Sequence, residues 1–157
     1  MIKKGFTLIE LLVVIAIIAI LAAVVFVALD PVKRFADARN STRISDVNSV
    51  LTAIHEYIVD NGGALPTGLS TGMAETQLGT AAAGCTTTPG GNACGTAAAC
   101  TDISTPLAKY LLTIPRDPSI AAAPGDRLGY SVAVNANNIV TVRACNAENG
   151  VTVQVSR

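Results

Sequence analysis

The sequence has no tryptophan, three phenylalanines and three tyrosines among its 157 residues. So few rings leave no series of aromatic platforms on which nucleic-acid bases stack. Charge is scarce too, at 14 % Asp, Glu, Lys and Arg, against about a quarter in an average soluble domain. Eleven basic side chains balance eleven acidic ones, so no basic stripe points to a polyanionic partner. Contact with nucleic acid through a few exposed side chains stays open. One histidine, His55, is present, and the four cysteines lack the C-x-x-C spacing of zinc sites. No nucleophile–base pair, carboxylate dyad or Gly-rich phosphate loop stands out. The expectation is a chain that is not an enzyme and carries no cofactor. At this length there is room for one small domain.

What the sequence does have is a long apolar run. Every residue from Leu11 to Leu29 is apolar, and at about 1.5 Å per residue the stretch approaches the ~30 Å core of a bilayer. Phe6 to Ile9 extend it. It is apolar all round, as a membrane span is, and not on one stripe as in an amphipathic helix. A secretory signal with cleavage near Ala23 would also place two lysines before an apolar run, but such runs span about 7–15 residues. Glu10 fits neither a signal nor a plain anchor. A carboxylate in a membrane segment costs about 2.5–3.5 kcal/mol at the helix centre and less near the interface, and it is generally paired and functional.

With Glu10 in place, the run Lys3-Lys4-Gly5-Phe6-Thr7-Leu8-Ile9-Glu10-Leu11-Leu12-Val13 resembles the class III leader junction of type IV pilins and type II secretion pseudopilins. The likeness is close as far as about residue 35 and weak beyond. It implies a prepilin peptidase that cuts between Gly5 and Phe6 and methylates the new Phe6 amine. It also implies that Glu10 serves assembly: the carboxylate could pair with the Phe6 amine one turn away on its own helix, or in a filament neutralise the Phe6 amine of a neighbouring subunit and fix the axial stagger. The partners implied are other copies of the chain in a helical filament, the peptidase, and an inner-membrane assembly platform with a separate ATPase. Before assembly the chain would be a single-pass inner-membrane protein with its C-terminal domain outside. The cations do not settle that topology, since Lys3 and Lys4 precede the span while Lys33, Arg34, Arg39 and Arg43 follow it. The leader does not separate a pilus subunit for adhesion, motility or DNA uptake from a secretion pseudopilin. A membrane-anchored exported binding module is the further alternative.

Segment boundaries follow. Residues 1–5 form the leader, 6–30 the membrane and filament-core helix, 31–61 an amphipathic helix, and 62–157 the globular domain. Asp30-Pro31 interrupts the helix, with Asp30 placed as an N-cap and a new start at Val32, or else a kink at Pro31. Ile44, Val47, Val50, Leu51, Ile54 and Ile58 make a 3–4 spaced stripe to pack on a sheet, and Gly62-Gly63 ends the helix. His55 is expected at the surface or its boundary. Residues 62–102, crowded with Gly, Ala, Thr and Pro, read as a long irregular loop. They correspond to the variable αβ-loop of the resembled family. Within 103–127, Ser104–Leu112 reads as a short helix with Ser104 or Thr105 as cap. Ile114-Pro115-Arg116-Asp117-Pro118 resembles the rigid turn before the sheet in pseudopilins. Asp117 and Asp126 are weak calcium candidates, because the Gly/Asp-rich ligand loop is missing. Three strands are expected in 128–157, at Leu128–Val134, Ile139–Ala144 and Val151–Val155. The fold class is therefore α+β, a long helix on a three-stranded antiparallel sheet.

Cys85, Cys94, Cys100 and Cys145 read as disulfides formed in an oxidising compartment. Three connectivities are open, and Cys85–Cys94 with Cys100–Cys145 is the preferred one.

Overall fold

In the computed structural model, which describes residues 5–121 and 126–157, the chain divides after Ala36 into two units. The first contains helix α1 (Leu8–Leu29), none of whose residues is buried. Its 22 residues run about 33 Å, long and apolar enough to cross a membrane. Asp30 then takes the left-handed conformation, with φ 38°. Its carboxylate accepts the Lys33 N–H at 3.4 Å, and its carbonyl accepts the Arg34 N–H at 3.2 Å. One residue thus ends α1 and caps the next helix, α2 (Pro31–Asp60). Pro31 occupies the first helical position, where its missing N–H costs nothing. The helix expected from Val32 starts one residue sooner.

The second unit holds the rest of α2 and a four-stranded antiparallel sheet in the order β1-β2-β3-β4. The strands are β1 (Thr76–Gln77), β2 (Tyr130–Val134), β3 (Val140–Ala144) and β4 (Val153–Ser156). The class is α+β, with four strands where three were expected. Alternation decides the faces. Tyr130, Val132 and Val134 pair with Ala144, Val142 and Val140, and Val155 and Val153 follow beside Val142 and Ala144. These residues join Val47, Val50, Leu51, Ala53 and Ile54 of α2 in one apolar core. Ile58 is half-buried against it. Ile44, expected in the stripe, is 51 % exposed, and Arg43 is fully buried in its stead. The buried row is 43, 47, 50 and 54, at helical spacing, and Ile44 lies about 100° away from Arg43 around the axis. At the far end of α2 the Gly63 N–H reaches back to the Ile58 carbonyl at 2.8 Å, with Gly62 at φ 64°. That left-handed step is open to glycine without strain.

The segment 62–102 departs most from expectation. It supplies β1, whose Gln77 and Thr76 pair with Ser131 and Val132. It also buries Leu69, Leu78, Cys85 and Cys94. The Gln77 amide, turned with its nitrogen towards the Cys85 and Thr87 carbonyls, donates to both at 3.2 and 3.1 Å and accepts the Gly129 N–H at 3.3 Å. This stretch is a packed edge of the domain. Its backbone is satisfied largely by irregular backbone–backbone bonds, such as Gly79 N–H to Thr101 and Thr96 N–H to Glu75, with little regular ladder.

The disulfides are Cys85–Cys100 and Cys94–Cys145, which corrects the preferred pairing. The reason is local. A tight hairpin, in which Thr87 bridges Ala93 and the Cys94 N–H meets the Thr86 carbonyl at 2.9 Å, turns between the first two cysteines. Meanwhile the Cys85 N–H bonds Ala98 and the Cys100 N–H bonds Ala81, which brings Cys85 beside Cys100. The short helix is also smaller than expected: α3 covers only Ser104–Leu107, followed by a turn. Neither Ser104 nor Thr105 caps it. The Asp102 carboxylate accepts the Ser104 N–H at 2.9 Å instead.

Candidate assembly site

The chain start is organised around Thr7 and Glu10. Thr7 is extended, with φ −82° and ψ 153°, and stands as the N-cap of α1. The Glu10 carboxylate accepts the Thr7 N–H at 2.8 Å and the Thr7 hydroxyl at 2.7 Å. The Glu10 N–H returns a bond to the Thr7 oxygen at 3.3 Å. This is a reciprocal capping box, which satisfies two of the N–H groups that a helix start leaves without partners. Within lipid, where water cannot serve those groups, such internal satisfaction matters more than in water. Gly5 and Phe6 precede the helix outside any regular element, and Phe6 is 80 % exposed. A Cβ built on Gly5 meets nothing within 4 Å. Lys3 and Lys4 lie outside the described residues.

The carboxylate therefore engages Thr7, one residue beyond Phe6. The expected pairing of Glu10 with a Phe6 amine needs the free amine that cleavage would create. Thr7 was overlooked in the sequence although its signal was there: Thr7-Leu8-Ile9-Glu10 has the T-x-x-E spacing of a capping box just before an apolar run.

A second polar cluster ties α2 to the sheet within the second unit. The Arg43 guanidinium, with no exposure, donates to both Asp117 oxygens at 2.8 and 3.0 Å. It also donates to Asn40 at 2.8 Å and to Glu148 at 2.7 Å. Arg39 grips Glu148 through two further bonds, at 2.7 and 2.6 Å. Asn40 closes the set, with its amide nitrogen donating to the Glu148 carbonyl and its oxygen accepting the Glu148 N–H, both at 3.0 Å. Burial disfavours the ionised Asp117 carboxyl, but Arg43 and the Ser119 hydroxyl and amide outweigh it and hold the group below the usual carboxylate range. Arg39 first, and then Arg43, against some desolvation, hold Glu148 down to about 2. On the neighbouring strand, burial and its bond to Asp46 push the Tyr130 phenol up.

The cluster occupies the Asp117 carboxylate, one of the two weak calcium candidates. Its oxygens face a guanidinium and Ser119, so a cation there would have to displace Arg43. Asp126 is apart from it, exposed, with its carboxylate 3.5 Å from the Thr80 hydroxyl. Among the described residues no three His, Cys, Asp or Glu side chains gather as metal ligands. His55 is half-buried on α2, and its Nε2 has no hydrogen-bond partner.

No curated protein and no solved structure matches the chain. Residues 1–26 match the family model described as the prokaryotic N-terminal methylation motif. That match covers Gly5, Phe6, the Thr7–Glu10 box and most of α1. The chain thus carries the class III prepilin leader, the signal of type IV pilins and pseudopilins.

Proposed function

We propose that the chain is a structural subunit of a type IV pilus-like filament. A prepilin peptidase cuts it between Gly5 and Phe6 and methylates the Phe6 amine, and the chain then assembles through α1. The observation that carries this reading is the methylation motif on a helix whose one acidic residue, Glu10, stands in its first turn. An uncovered apolar helix needs a partner surface, lipid before assembly and copies of itself afterwards. Glu10 already accepts two bonds from Thr7, and a carboxylate has about four lone-pair sites. It therefore retains capacity for the Phe6 ammonium of a neighbour. Desolvation opposes such a pair, so it specifies stagger more securely than it adds stability. A long segment with two disulfides favours an exposed pilus over a secretion pseudopilus. The turn at Pro115–Pro118, with its pseudopilin likeness, keeps the latter as the second reading.

Replacement of Glu10 tests the role. Glu10→Ala should leave membrane insertion and leader cleavage intact while surface filaments, seen by negative stain, disappear. Normal filaments from Glu10→Ala would remove the carboxylate from assembly, as expected for an anchor that only tethers a binding module.

A further inference from the structure

The connectivity of the two disulfides carries a consequence for how the chain matures. In sequence order the cysteines pair first with third and second with fourth, Cys85–Cys100 and Cys94–Cys145. Among the described residues no cysteine is left free. We infer that the globular domain is a client of a thiol–disulfide isomerase, and that oxidation alone leaves it mispaired. The inference rests on the proposed export of this domain into an oxidising compartment.

Three features of the chain favour the wrong bonds first. A chain that is exported from its N-terminus presents Cys85, Cys94 and Cys100 before Cys145. Among those three, the native bond closes the longest loop, 15 residues, whereas Cys85 and Cys94 stand nine apart and Cys94 and Cys100 six. Loop-closure statistics favour the nine-residue loop over the native one by about twofold, and the shorter one further. Finally, the hairpin of Thr86 to Cys94 is made of local bonds, Thr88 N–H to Asn92 at 2.8 Å and Cys94 N–H to Thr86 at 2.9 Å. Its Cys94 N–H bonds the carbonyl of Thr86, the residue that follows Cys85, so these local bonds draw Cys94 towards Cys85.

A Cys85–Cys94 bond leaves Cys100 for Cys145, and the product has no thiol left with which to rearrange itself. Each of its bonds has already passed two electrons and two protons to the disulfide of a thiol oxidase. Repair is redox-neutral exchange. The isomerase thiolate attacks the Cys94 sulfur and releases the Cys85 thiolate. Cys85 attacks Cys100, forms Cys85–Cys100 and releases the Cys145 thiolate. Cys145 attacks the mixed disulfide at Cys94, forms Cys94–Cys145 and returns the isomerase thiolate. Two bonds enter and two leave. Of the native bonds Cys94–Cys145 is the better shielded from further exchange, with Cys94 unexposed and Cys145 8 % exposed, while Cys85–Cys100 has a buried Cys85 and a half-buried Cys100.

The test expresses the full chain in an exporting host with its thiol oxidase intact, with and without its disulfide isomerase, and maps the bonds by non-reducing peptide mass spectrometry. With the isomerase, the native pairs should dominate. Without it, the native fraction should fall below the one-third or so that random choice among three pairings gives, with Cys85–Cys94 as the main product. The double variant Cys85→Ser with Cys100→Ser has one pairing left, and its Cys94–Cys145 bond should form equally in both hosts. Full native pairing without the isomerase overturns the inference, as does an equal isomerase requirement in the double variant. Four free thiols in intact cells would instead overturn the export reading itself.

Discussion

Arg43 sits where the helical spacing of α2 calls for an apolar residue, and its charge is matched by Asp117 and Glu148. Removing one partner of such a pair leaves the other buried and uncompensated. Arg43→Ala should therefore destabilise the domain by about 3–5 kcal/mol in denaturant unfolding. Joint replacement by Arg43→Met and Asp117→Leu should recover most of that, because it removes both desolvation costs together. The cluster also sets an acid limit. The folded-state pKa of Glu148 lies below its ordinary 4.5, at about 2, and that of Asp117 is lowered too. Depressed values mean that their contribution is complete above the unfolded pKa and fades as pH falls towards the folded one. Tm should thus be flat above about pH 5 and drop between about pH 4.5 and 2, and Glu148→Gln should flatten the drop. Had Tm risen on acidification through that window, the sign assigned to these groups would be wrong. None of this was legible from the sequence. An arginine in a helix next to an apolar stripe reads as solvated, and its partners lie 74 and 105 residues away.

At the scale of elements, β2, β3 and β4 were visible from strict alternation, and their ends differ from expectation by one or two residues. The helix break was visible as well, because Asp30 and Pro31 signal it by local chemistry alone. β1 was not. Its two residues carry no periodicity, and they become a strand only through Ser131 and Val132 across the ladder. The disulfide pairing escaped for a similar reason, since spacing does not encode the bonds of Cys85 to Ala98 and of Cys100 to Ala81 that set Cys85 beside Cys100. Replacing Cys94 and Cys145 by serine opens a 51-residue loop and should cost about 4 kcal/mol in the loop-entropy model. Calorimetry of the exported domain checks it. Gly129 offers a second probe, at φ 82°, where an added Cβ would meet Ile120 Cδ1 at 2.6 Å and Asp117 Cβ at 2.8 Å. Gly129→Ala should destabilise by at least about 1–3 kcal/mol through backbone strain, and a neutral result would mean that the turn beneath Asp117 is not held this tightly.

Taken whole, the molecule consists of an apolar helix none of whose residues is buried and a small domain cross-linked by two disulfides. At the helix start the Thr7–Glu10 box satisfies two backbone N–H groups, within the segment that matches the methylation motif. The methylation motif lies on residues 1–26, so the functional reading rests on that segment. Mass spectrometry of material sheared from the cell surface tests that reading most directly. It should find a mature chain beginning at N-methylated Phe6, with Met1 to Gly5 removed. A start near Ala23, as ordinary signal cleavage would leave, or an intact Met1, contradicts it.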